Sequence, residues 1–81
     1  MTASPRQDLT ALYDAMVDTA TALTGRYLEL GENASTPEEE EAWDARVMAL
    51  REERRRVPSD DRDAIVEHTR RWAAELAELE R

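Results

Sequence analysis

The sequence predicts an all-α chain folded as an antiparallel three-helix bundle, up-down-up with short loops. Three observations predict it. Glycine and proline are scarce, two and three residues in 81, which argues against strands and tight β-turns. Apolar residues recur at i, i+3, i+4 and i+7 over three separate stretches, the spacing of helices that bury one face. Each stretch also has its own start and stop residues.

The first helix spans about 5–30. Ser4 reads as its N-cap, Pro5 as the first helical residue and Gln7 as the partner in a capping box. Its apolar stripe is Leu9, Leu12, Tyr13, Met16, Val17, Ala20, Leu23, Tyr27, Leu28 and Leu30, with Thr24 in one slot. That stripe is wide enough to face two neighbouring helices. Gly31 is placed to end the helix in the left-handed conformation.

The second helix spans about 37–57. It opens with Thr36-Pro37-Glu38-Glu39, a stronger form of the same start signal. Its stripe is thin: Trp43, Val47, Leu50 and Val57, interrupted by Arg54. Pro58 disfavours helix at Val57 and closes it. The third helix spans about 60–80. Ser59 reads as its N-cap, and Asp60, Asp61 and Asp63 complement the positive helix end. Ile65, Thr69, Trp72, Leu76 and Leu79 form its stripe, widened by Val66 and Ala73.

Short links make sequential helices antiparallel neighbours. The whole chain, 1–81, reads as one helical domain with residues 1–3 frayed. Folding at the two links places Trp43 near Leu23, Thr24 and Ala73, and Trp72 level with Ala20. A central Ala20–Trp43–Trp72 cluster is the expected core, small residue against large. The competing architecture pairs the first helix with the other two and is completed only by dimerisation.

Composition narrows the function classes. The formal net charge is −8, and all eleven basic residues are arginine. Arginine without lysine, with abundant Ala and Glu, is the style of a GC-rich, bacterial genome. An acidic chain repels phosphate, which disfavours nonspecific nucleic-acid binding. There is no cysteine, hence no disulfide, thiolate metal site or Cys nucleophile. The first fifteen residues lack the features of a signal peptide, and no run of eighteen apolar residues occurs. The expected location is cytoplasmic, with no membrane partner.

No stretch carries a catalytic or ligand motif, so the chain reads as non-enzymatic, with no cofactor, no bound metal and no small-molecule substrate. Three features bear on that reading. The acidic run Glu38–Glu41, with Asp44, offers carboxylates on one helix face that could hold Mg²⁺ opposite Glu75 and Glu78. Acids in the first turns of a helix also simply complement its dipole. The basic run Arg54-Arg55-Arg56, with Arg51, is a candidate patch for phosphate or an acidic partner. It equally suits the negative end of its helix, with Glu52→Arg56 as a local pair and Asp60, Asp61 and Asp63 across the turn. Arg54 lies level with Tyr13 and is placed to lay its guanidinium over that ring. His68 stands alone, without the partners of a triad or zinc site.

The remaining candidates are apolar residues off the stripes. Met48 lies about 140° around the second helix from Trp43, and Leu28 and Val66 sit at stripe margins. With Arg51, Arg54, Arg55 and Arg56 they make up the candidate partner surface. The function expected is a small protein-interaction module, an adaptor or accessory protein that binds another protein or a second copy of itself. The alternative is a nucleic-acid-related role, through the Arg51–Arg56 cluster or as an acidic DNA mimic. The thin stripe of the second helix makes it the first place to look for a working face.

Overall fold

The structure is a computed structural model and describes residues 5–81, with side chains from Asp8 onward. It is an all-α three-helix bundle: α1 (Pro5–Glu32), α2 (Pro37–Arg55) and α3 (Arg62–Leu79), with no strand among the described residues. The Ser4 cap and the fraying of residues 1–3 fall outside the described residues.

α1 is the wall on which the other two helices rest. Met16, Ala20, Leu23 and Tyr27 of α1 are buried with Val47 and Leu50 of α2, Val57 beyond it, and Ile65 and Trp72 of α3. No polar or charged residue is buried among those described. Ala20 and Trp72 are both buried in this one core. α3 runs parallel to α1 and is pinned to it at both ends. Arg62 meets Asp8 at 3.2 Å, and Arg26 donates from Nε and Nη2 to the Leu79 carbonyl at 3.2 and 2.9 Å. That second contact satisfies a carbonyl which the end of a helix otherwise leaves without a donor.

The helix starts follow side-chain chemistry. Thr36 Oγ1 accepts from the Glu39 amide at 3.1 Å, and Glu39 Oε2 accepts from the Ser35 amide at 2.9 Å. This reciprocal arrangement is the one expected from Thr36-Pro37-Glu38-Glu39, with Glu39 reaching one residue further back than a capping box requires. The start of α3 differs from expectation: its N-cap is Asp61, not Ser59. The Asp61 amide bonds to the Pro58 carbonyl at 3.2 Å, which uses residues 58–61 as a turn. Asp61 Oδ1 then accepts from the Ala64 amide at 3.0 Å.

The end of α1 also differs. Gly31 is helical, no described residue has a positive φ, and α1 continues to Glu32. Asn33 ends it instead: its amide and Nδ2 both donate to the Glu29 carbonyl, at 3.2 and 2.8 Å. Gly31 is buried against α2, where a Cβ would lie 3.4 Å from Cβ of Trp43. The longer α1 shifts the register of α2. Trp43 therefore sits at the level of Tyr27 and Gly31, half-buried, rather than in a central cluster with Trp72. Ala73 is exposed and faces away from Trp43. Leu28, expected on the stripe of α1, is 48% exposed.

The bundle is open on one side. No Cα of α2 lies within 8 Å of any Cα of α3. The molecule is correspondingly flat, 53 × 25 × 14 Å, with a radius of gyration of 14.7 Å. A compact chain of this length has a radius near ~12 Å.

Candidate interaction groove

The gap between α2 and α3 is a groove of about 730 Å³. Its origin is legible in the two strips that face each other. α3 presents Ala64, His68, Arg71 and Glu75, at i, i+4, i+7 and i+11; α2 presents Arg46, Ala49 and Glu53. Helices pack at 8–10 Å when apolar side chains interdigitate. Neither strip has a bulky apolar residue, so each helix closes on α1 and not on the other.

The floor is apolar, formed by Leu50, Val57, Trp72 and the ring of Tyr27. Two ion pairs cross above it as straps. Arg46 meets Glu75 at 2.6 Å, and Arg71 meets Glu53 at 2.5 Å. Glu53 also accepts from Trp72 Nε1 at 3.2 Å, which satisfies the one polar atom of a side chain only 2% exposed. Beneath the straps the floor is therefore covered.

One end of the groove is organised around Tyr27. Its hydroxyl donates to Glu75, and the Arg46 guanidinium lies 4.9 Å from the centroids of both Tyr27 and Trp43, whose rings are 5.8 Å apart. Burial, reinforced by the hydrogen bond to Glu75 and its negative charge, pushes the Tyr27 hydroxyl up to about 12 from its ordinary 10.0. The cation stacked on an aromatic ring is thus Arg46, not Arg54. Arg54 is half-buried, and no ring contact joins it to Tyr13.

The other end holds Arg56, Pro58, Ala64 and His68. His68 stands edge-on to Trp72, ring centroids 5.2 Å apart, with Nδ1 2.7 Å from the Ala64 carbonyl. A carbonyl can only accept, so Nδ1 carries the proton in the neutral ring and Nε2 is left as an acceptor.

Of the seven residues of the candidate partner surface, only Arg56 lines this groove, together with His68, Glu52 and Glu75 from the other features singled out in the sequence. Met48, 59% exposed, and Leu28 lie elsewhere on the surface; Val66 is half-buried. Arg51 and Arg55 are exposed. The local pair in the basic run is Arg55 with Glu52, at 3.8 Å, instead of Arg56 with Glu52, and no ion pair joins the run to Asp60, Asp61 or Asp63. The acidic run is exposed, Glu39 serves the α2 cap, and Glu75 is committed to Arg46 and Tyr27 rather than turned toward that run. No group of three or more acidic or histidine side chains is arranged to hold a metal ion among the described residues.

No family model, curated protein or solved structure matches this chain. Its carboxylates at Glu53 and Glu75 are held by arginines, and the one imidazole is tied through Nδ1 to backbone. What it offers is an apolar floor beneath a rim of paired charges, which is the composition of a docking surface.

A second, shallower depression of about 360 Å³ lies between α1 and α3, lined by Ala22, Ala73, Ala77 and Leu76 with Asp18 and Glu80. Its only charges are negative. No helix is long and apolar enough to cross a membrane, among the described residues.

Proposed function

We propose that this chain is a small, non-enzymatic helical interaction module that receives a protein segment in the groove between α2 and α3. The observation that carries the reading is the failure of those two helices to pack on each other. Leu50, Val57 and Trp72 are left beneath side-chain straps instead of beneath a helix. The straps are exposed ion pairs, and such pairs contribute only about 0–1 kcal/mol each. An incoming helix that takes over the arginine partners, with Glu53 kept on Trp72 Nε1 and Glu75 on the Tyr27 hydroxyl, gives up little more than these pairs and meets an apolar floor with charged groups at its rim. Helix-in-groove docking uses this combination of an apolar seam and a polar rim.

Photo-cross-linking tests the reading. A photoreactive residue at Ala49, on the groove wall, is compared in cells with one at Gly25, an exposed site on α1. Position 49 should yield a defined adduct that position 25 does not. The partner so identified, rebuilt from purified components, should bind at least tenfold more weakly to Ala49→Arg. Equal labelling at the two sites, or reconstituted binding indifferent to Ala49→Arg, would refute the proposal.

A further inference from the structure

We infer that a second copy of this chain pairs with the outer face of α2, antiparallel, with Met48 of the two copies meeting on a two-fold axis. This face is separate from the groove wall of Arg46, Ala49 and Glu53.

The face is an exposed seam. Glu41, Asp44, Met48, Arg51 and Arg55 follow one another at i, i+3, i+7, i+10 and i+14, and all five are exposed. At 3.6 residues per turn they fall within about 80° of one another, the narrow stripe along which two helices pair. The side of α2 that packs on α1 is another one, where Val47 and Leu50 are buried. Met48, at the middle of the seam, is 59% exposed, more than any other large apolar side chain described. The charges beside it have little to hold them within the chain. Among the described residues, Glu41, Asp44 and Arg51 join no ion pair, and Arg55 meets only Glu52, at 3.8 Å.

The order of charge along α2 names the partner. Five acids and no base lie between Glu38 and Asp44. Four arginines lie between Arg51 and Arg56, against two glutamates, of which Glu53 is turned to Arg71. A parallel copy would set acid on acid and arginine on arginine. A copy turned end for end about Met48 sets opposite charges together. Glu41 and Arg55 each stand seven residues from Met48 and therefore meet. Asp44 and Arg51 stand four and three residues away, and so meet within one residue, about 1.5 Å along the axis. Each contact occurs twice, as in any isologous interface. A foreign helix would need the same acid, thioether and arginine spacing in reverse; a second copy has it by symmetry. The seam also carries two acids against two arginines in a chain of net charge −8. Copies that repel over most of their surfaces can approach along it.

The test is sedimentation equilibrium of the purified full chain, with circular dichroism as a check on folding. At low salt the wild type should move from 9.3 kDa toward twice that mass as concentration rises. In about 1 M salt, where the Debye length is about 3 Å, association should weaken at least tenfold. Glu41→Arg and Arg55→Glu each set like charge on like, and each should weaken self-association at least tenfold with helicity unchanged. Mixed one to one, the two variants should form a heterodimer, because each supplies the charge that the other now lacks. Ala49→Arg, on the groove wall, should dimerise as the wild type does. A wild type that stays monomeric at low salt up to about millimolar concentration, the weak end of specific association, overturns the inference. So does a dimer that both charge variants leave intact, or a mixture of the two that stays monomeric. A dimer broken by Ala49→Arg overturns it as well, because the interface then lies in the groove. The groove's own role as a docking surface is read separately, from the Ala49 adduct.

Discussion

Tyr27 and Arg46 share a single acceptor: both donate to Oε2 of Glu75, one from α1 and the other from α2. This atom ties all three helices together at one end of the groove. Because the Tyr27 hydroxyl is raised to about 12, the tie depends on pH in a definite direction. Below pH 10 the phenol is protonated in the folded and unfolded chain alike, and its contribution is complete. Between pH 10 and about 12 the unfolded chain releases the proton first, so stability falls. The loss is on the order of 2–3 kcal/mol. Chemical denaturation across this range should show the decline in the wild type and a much shallower one in Tyr27→Phe. Equal declines in both would remove Tyr27 as the cause.

The caps give a sharper test of the chain's local grammar. Thr36→Ala and Asp61→Ala each remove the side-chain acceptor of a helix-start amide and should cost about 1 kcal/mol. Ser59→Ala should change stability by less than about 0.5 kcal/mol, because Ser59 sits inside the 58–61 turn instead of capping α3. Thermal melts of the three variants decide it. A cost at Ser59 comparable to that at Asp61 would move the start of α3 back to where the sequence first suggests.

These cases show which parts of the fold the sequence encodes openly. Helical periodicity identifies three helices, and Thr36-Pro37 marks the start of α2 without ambiguity, since one good cap precedes one run. At α3 two good caps, Ser59 and Asp61, stand two residues apart, and only the turn begun at Pro58 chooses between them. At the end of α1 a glycine offers a left-handed stop, but Gly31 stays helical, packed against Trp43, and Asn33 serves as the stop instead. That two-residue extension is enough to move Trp43 away from Trp72. The groove is harder still to read. It depends on how far apart α2 and α3 sit around α1, which no single helix's periodicity records. The available signal was the strip Ala64, His68, Arg71 and Glu75 beside α3's apolar stripe, lacking any bulky apolar residue.

Gly25 is a position where the chain carries avoidable instability. It lies on the exposed side of α1, and a Cβ there would meet nothing within 4 Å. Gly25→Ala should therefore stabilise the fold by about 0.5–1 kcal/mol through backbone entropy alone. In a domain of this size each kcal/mol raises Tm by about 4–8 °C. Gly31→Ala should gain less, since its methyl lands at contact distance from Trp43 near the helix end. A lower Tm for Gly25→Ala would show that α1 is not a continuous helix at this point.

Glu53 connects the stability of the core to the openness of the groove. Its carboxylate accepts from Trp72 Nε1 and holds Arg71 in the strap. Glu53→Gln keeps an acceptor for the indole and gives up only a partly exposed ion pair, so it should cost less than about 1 kcal/mol. Glu53→Leu leaves the indole N–H without its partner beneath the surface and should cost about 1–3 kcal/mol. Urea unfolding followed by tryptophan fluorescence separates the two. A clear gap between them assigns the effect to the indole hydrogen bond. Equal costs would mean that water reaches Trp72 as readily as Glu53 does, and that the strap does not seal the groove floor.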